Sequence, residues 1–166
     1  GFTPVVEASG PEVVLHALGT YLDRMNRAIG QTDGTVCQYL GDAVMAFWGA
    51  PIKDEAHATH AVEAAMEMLE EVERIKPKFR ALGLPEISIG IGINTGRMNV
   101  GDMGSEFRRA YTVLGDAVNL GSRLEGLTKY YGVELVVGEE THEQVDGYLY
   151  QSLDLVRVKG RKQALV

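Results

Sequence analysis

Residues 86–95 read Glu-Ile-Ser-Ile-Gly-Ile-Gly-Ile-Asn-Thr, and this stretch constrains the fold more than any other. Ile87, Ile89, Ile91 and Ile93 fall on one face of an extended chain, with Ser88, Gly90, Gly92 and Asn94 on the other. Alternation this strict predicts a strand over 86–95 whose branched face is buried. The opposite face is nearly bare. It invites a backbone, a helix or a ligand to approach closely.

Around that strand the sequence alternates between helical and extended patterns. After Gly10-Pro11, the residues Val14, Leu18, Tyr21 (or Leu22), Met25 and Ala28 recur at helical spacing; Pro11 suits a first turn and Gly30 an end. Two β-prone runs then flank Gly41-Asp42, and glycine at the first central position predicts a hairpin with a type II′ turn. Simple alternation places Val36, Gln38 and Leu40 on one face of the first arm and Cys37 and Tyr39 on the other. A second helix is expected from about Ala56 toward Leu82, with Val62, Ala65, Leu69 and Val72 as its stripe. Pro77 should end or kink it near Lys76. Residues 96–104 read as a strand and turn. Asp116 reads as the N-cap of a third helix ending before Gly132, with Ala117, Leu120, Leu124, Leu127 and Tyr131 inward. A strand over 133–137, a short helix over 139–145 and a final strand over 148–159 follow. The order predicts an α+β domain whose helices cover a mainly antiparallel sheet. Such a sheet usually has a strand before the first helix, and none precedes it here.

The 166 residues suffice for one domain with a real core. Sixteen Lys and Arg against 23 Asp and Glu give a formal charge of −7, which disfavours a global attraction to nucleic acid or anionic lipid. Cys37 is the single cysteine, so no internal disulfide forms, in keeping with a reducing, cytoplasmic setting. No apolar run approaches the ~18 residues of a membrane span, and no signal-peptide pattern opens the chain. The chain opens at Gly1-Phe2-Thr3 without Met and reads as a piece of something longer, such as the cytosolic part of a membrane-anchored protein.

Three places could hold chemistry. A carboxylate at a hairpin tip, Asp42, suits Mg²⁺ or Mn²⁺ held jointly with substrate phosphates; it also suits a plain turn. Asn119 and Arg123, four apart, project together from one helix edge and can grip a ribose oxygen and phosphoryl charge; they can equally form a solvated face. Arg157-Val-Lys159-Gly-Arg161-Lys162 puts four cations in six residues, fit for a triphosphate or for a solubilising terminus. Other signals are weak. Gly90-Ile-Gly92 lacks the rest of a dinucleotide fingerprint, and no phosphate-binding G-x-x-x-x-G-K-[ST] loop exists. His57 and His60 have no Cys or third His to complete a zinc set, and Cys37 reads as packing.

Taken together, Gly41-Asp-Ala-Val-Met-Ala-Phe-Trp-Gly-Ala-Pro51 and Tyr111-Thr-Val-Leu-Gly-Asp-Ala-Val-Asn-Leu-Gly-Ser-Arg123 resemble the class III nucleotidyl cyclase catalytic domain. Gly1-Phe-Thr3, Gly90-Ile-Gly-Ile-Asn-Thr-Gly96 and Val158-Lys-Gly160 fall in the right order around them, so the resemblance covers the whole of 1–166. It implies a ferredoxin-like α+β sandwich working as a head-to-tail homodimer, with the nucleotide between subunits. The implied reaction is attack of the ribose 3′-hydroxyl on the α-phosphorus of ATP, giving 3′,5′-cyclic AMP and pyrophosphate, with two Mg²⁺ or Mn²⁺ per site. By resemblance Asp42 is a metal ligand, Asn119 orients the ribose, and Arg123 stabilises the transition state. Lys159 and Arg97 meet phosphates, and Gln38 and Thr112 take the two purine-selecting positions. One subunit would supply Asp42 and Arg97; its partner would supply Gln38, Thr112, Asn119, Arg123 and Lys159.

The resemblance has three departures. The family's first metal-binding Asp precedes Gly-Phe-Thr by three residues, and the sequence starts at that glycine; the first strand is expected upstream, in a domain truncated at its N-terminus. Gln38 stands where an adenine-selecting Lys is usual, and its amide can meet adenine N1 or rotate toward guanine. Thr112 replaces the usual Asp, as in a bacterial adenylate cyclase subclass with Thr there, several of whose members respond to bicarbonate. ATP is the expected substrate because no carboxylate faces guanine N1 and N2. A guanylate cyclase, or a catalytically silent cyclase-like module, is the alternative.

Overall fold

The computed structural model describes residues 7, 10–105 and 108–153. Helix α1 spans Pro11–Gln31, opening with Pro11 at its start after an extended Gly10. Its buried face is Ala17, Tyr21, Met25, Ala28 and Ile29, so the inward aromatic position is Tyr21 and not Leu22. Helix α2 spans His57–Ala81 and packs along α1. Between them lies the main core: Met25 and Tyr21 against Val72, Ile75 and Phe79, closed below by Leu84 and Ile87.

Helix α2 runs to Ala81, in line with the expected span toward Leu82, and Pro77 lies inside it without ending it. An interior proline costs about 3 kcal/mol. Pro77 itself faces solvent, while Ile75 and Phe79 on either side are 1% and 2% exposed. Burying two such side chains returns about 1.5–3 kcal/mol each, which offsets the proline.

Strands β1 (Thr35–Leu40) and β2 (Ala43–Phe47) form the predicted antiparallel hairpin. Gly41 takes φ +65° and Asp42 stays out of the left-handed region, the combination a type II′ turn needs. The simple face assignment of β1 fails, because the register slips at Cys37: Val36 opposes Ala46 and Gln38 opposes Met45. Adjacent partners point to opposite faces, so Val36 and Gln38 do not share one.

Strand β3 is confined to Ile91–Ile93 and pairs with β6 (Leu135–Val137) in parallel, a departure from the otherwise antiparallel expectation. Residues 86–90 join no ladder among the described residues. The alternation there still reports burial, since Ile87 is 2% exposed. The bare glycine face does what its chemistry suggests. A Cβ on Gly92 would lie 2.2 Å from the backbone nitrogen of Glu125 and 2.4 Å from the carbonyl oxygen of Gly121. Only glycine lets helix α3 (Asp116–Tyr131) come that near.

Strands β4 (Asn99–Ser105) and β5 (Arg108–Leu114) form a second antiparallel pair, of which β5 was not legible in the sequence. Helix α3 is capped by Gly115 and not by Asp116. The φ of +150° at Gly115 excludes other residues and pushes Asp116 into the first turn, where its charge still meets the positive helix end. Its buried residues are Ala117, Leu120, Leu124 and Thr128, and it ends at Gly132 as expected. Helix α4 covers only Glu139–His142. Residues 148–153 form no strand, and 154–159 of the predicted last strand lie outside the described residues. The result is a mixed α/β fold of helices and mainly antiparallel strands.

Candidate functional site

The hairpin turn carries Asp42 to the mouth of a cleft of about 370 Å³, lined also by Tyr21, Ala43, Ser88, Gly90 and Lys129. Asp42 is half-buried there. Tyr21 is 5% exposed, and its phenol is pushed up to about 12, first by burial and then by the Asp42 charge. It therefore stays protonated beside the carboxylate. Nothing in local order links Tyr21 with Asp42, since one is a core position of a helix and the other lies in a turn.

The other end of the hairpin meets β5. Cys37, half-buried on the bulge, donates from Sγ to the Met45 carbonyl at 3.3 Å, and its thiol is pushed up mainly by burial. Phe47 and Tyr111 stack nearby with centroids 5.8 Å apart. The structure thus brings β1, which carries Gln38, to β5, which carries Thr112; Gln38 is exposed and Thr112 half-buried.

Arg97 follows the glycine-faced strand. Gly96 packs on Ala117, and a Cβ on Gly115 would lie 3.3 Å from the Arg97 carbonyl oxygen, so this segment abuts the start of α3. Asn94 donates to the Ala117 carbonyl at 3.0 Å and reinforces the junction. One turn into α3 stand Asn119, exposed, and Arg123, half-buried, on an edge apart from the core stripe. Among the described residues neither Arg97 nor Arg123 forms an ion pair. Lys159 and its basic neighbours lie outside the described residues.

The structure does not gather every candidate residue in one place. The cleft at Asp42 is lined by none of Gln38, Arg97, Thr112, Asn119 and Arg123. Of the two histidines, His57 and His60, the latter is a local anchor. Asp54 accepts from the Ala56 amide at 2.9 Å and pairs with His60 Nδ1 at 2.7 Å, and His60 holds its carboxyl below the usual range. Among the described residues no group of three or more His, Cys, Asp or Glu is placed to hold a metal. Nor is any helix there long and apolar enough to cross a membrane.

Residues 1–166 match the family described as Adenylate and Guanylate cyclase catalytic domain. Adenylate cyclase 1 of Rhizobium meliloti is 39% identical over 99% of this chain, and Adenylate cyclase of Anabaena cylindrica is 34% identical over 99%. The chain spans 25% and 34% of the length of these two relatives. Among solved structures, the adenylyl cyclase CyaB from P. aeruginosa superposes with a TM-score of 0.91 at 30% identity, covering 99% of this chain and 85% of that one. The guanylyl cyclase Cya2 gives 0.89 at 32%, covering 99% and 83%. A fold this close to both kinds of cyclase, carried by a sequence matched from end to end, makes the chain a member of the adenylate and guanylate cyclase catalytic domain family.

Proposed function

We propose that this domain is an adenylate cyclase, forming 3′,5′-cyclic AMP and pyrophosphate from ATP in a site shared by two copies. The observation that carries the reading is the edge of α3, with Asn119 and Arg123 one turn apart; neither the Arg123 guanidinium nor that of Arg97, which would serve the site from the other subunit, pairs with a carboxylate among the described residues. In a chain of charge −7, cations left unneutralised are suited to an anionic substrate. That Asp42 opens on a different cleft supports a site completed by a second copy.

In this reading Asn119 hydrogen-bonds the ribose and aims its 3′-oxygen at the α-phosphorus. Arg123 donates to the oxygens of that phosphorus as charge builds on them. Arg97 and Lys159 hold the β- and γ-phosphates, so that the bond to the departing pyrophosphate lies in line. Gln38 and Thr112 read the purine edge. The half-buried carboxylate of Asp42, a hard oxygen donor beside space, fits Mg²⁺ or Mn²⁺ arriving with the triphosphate, and no self-sufficient metal cage surrounds it among the described residues. Two such cations, when bound, would favour the ionised 3′-oxygen and neutralise phosphate charge.

The test is incubation of the full-length protein with ATP and Mn²⁺, assayed for cyclic AMP. Absence of product at high protein concentration sinks the reading in favour of a silent module. Arg123→Ala should lower turnover at least tenfold, or about 1.4 kcal/mol of barrier; unchanged turnover removes its role. A parallel assay with GTP separates the guanylate cyclase alternative, which the adaptable amide of Gln38 keeps in play.

A further inference from the structure

The glycine face of residues 86–95 acts as a track for helix α3. Gly90 lies against Thr128, Gly92 against Glu125 and Gly121, and Asn94 against Gly121 and Ala117. The extended segment and the helix therefore run past each other in opposite directions. The two glycines let the helix come close but offer it no side chain to seat on. Asn94, next on the same face, carries a directional group. Its Nδ2 donates to the Ala117 carbonyl oxygen at 3.0 Å, in the first turn of α3. A carbonyl can only accept, so the amide orientation is fixed. Oδ1 is then turned toward Gly138, where a Cβ would strike it, and is buried with no hydrogen-bond donor among the described residues. An acceptor buried without a donor works against stability, so this amide brings the fold little net gain. What it supplies is position.

The segment that follows is held as well. Thr95 Oγ1 pairs at 2.9 Å with Oγ1 of the fully buried Thr141, and Gly96 packs on Ala117. Arg97 comes three residues after Asn94, while Asn119 follows Ala117 by two residues and Arg123 stands one turn further on. One hydrogen bond thus joins the stretch leading to Arg97 with the helix that bears Asn119 and Arg123. We propose that Asn94 is a positioning residue of the cyclase reaction, locking α3 in register on its glycine track so that Asn119 and Arg123 stand where the ribose and the α-phosphorus arrive. It touches no substrate and acts through the helix. A misplacement of about 1 Å can cost about a hundredfold in rate, so one register bond is enough to matter. The inference rests on the cyclase reading above.

The experiment measures kcat, KM and the thermal unfolding midpoint of the full-length protein with Mn²⁺ and the better of ATP and GTP. Asn94→Ala removes the bond and the unpaired acceptor together, and Asn94→Leu does so while refilling the space. In both, kcat should fall about tenfold or more, with KM within about twofold and the midpoint within about 3 °C of the wild type. A merely structural residue would move the midpoint and spare kcat of the folded fraction. In an Arg123→Ala background, Asn94→Ala should lower kcat by less than about threefold, because it acts through the group already removed. An unchanged kcat in the folded variants overturns this inference alone. So does a loss that only follows the folded fraction, or a failure of both variants to fold, since the amide would then serve the fold and not the reaction. A wild type active on neither nucleotide overturns the cyclase reading and this inference with it.

Discussion

Arg24, Arg74 and Arg80 of the helical layer live in circumstances opposite to those of Arg97 and Arg123 at the α3 edge. Between α1 and α2, Arg24 meets Glu71 at 3.0 Å, and Arg74 spans Glu67, Glu70 and Glu71 at 2.5–2.8 Å. Arg80 at the end of α2 meets Glu86 at 2.6 Å. Arg97 and Arg123 have no such partner among the described residues, although acidic side chains outnumber basic ones in the chain. In the first region charge serves register, because Glu71 is 7% exposed and needs its guanidiniums to stay ionised. In the second, the donors of each guanidinium remain available to phosphate oxygens. The difference separates a region whose charges are spent on holding the domain together from one whose arginines are unpaired among the described residues, as the proposed nucleotide site requires.

Three substitutions sharpen or break that separation. The largest effect is expected from Phe79→Ala in the helical core, a loss of about 3–5 kcal/mol in denaturant unfolding. Turnover of the folded fraction should survive. A cost below about 1 kcal/mol would mean the α1–α2 layer is not where stability resides. Second is Asp42→Asn, which keeps shape and removes charge at the hairpin tip. Turnover should fall about a hundredfold, equivalent to about 2.7 kcal/mol, with the melting temperature little changed. Normal turnover, or an unfolded protein, would erase the contrast.

The smallest effect is expected at Glu71. Its carboxyl is held below the usual glutamate range, chiefly by Arg74 and further by Arg24, against the opposing effect of burial. A depressed folded pKa means the unfolded chain binds protons more readily. The stabilisation is therefore complete above the ordinary value of 4.5 and disappears as pH falls through the lower folded pKa. Glu71→Gln should cost on the order of 1 kcal/mol at neutral pH, because water screens the half-exposed Arg74. Unfolding measured at neutral and at acid pH should show the wild type losing more stability than Glu71→Gln. Equal losses would place the acid sensitivity elsewhere.

Much of the architecture was legible because periodicity reports burial. The stripe of α1 and the glycine face opposite the isoleucines both announced their environments. The misreadings share a cause. Pro77 reads as a stop or a kink from its own chemistry, and the burial of Ile75 and Phe79 carries the helix through it. Alternation over 86–95 reads as a long strand, but a ladder needs a neighbour as well as a pattern. The bulge at Cys37 is a feature of its pairing with β2, so nothing in β1 alone announced it. At the site, the helical spacing of Asn119 and Arg123 was readable, while the contact of Tyr21 with the field of Asp42 was not.

The amino-acid sequence by itself determined which faces turn inward, where glycine permits a sharp turn at Gly41, and which residues carry the cyclase pattern. Tertiary structure alone decided that β3 takes a parallel partner, that β1 comes to lie beside β5, and that Asp42 opens on a cleft that Arg123 does not line. The physical reason is range. Side-chain periodicity acts over a few residues and is written into local order, whereas pairing distant segments depends on how the whole chain closes and packs.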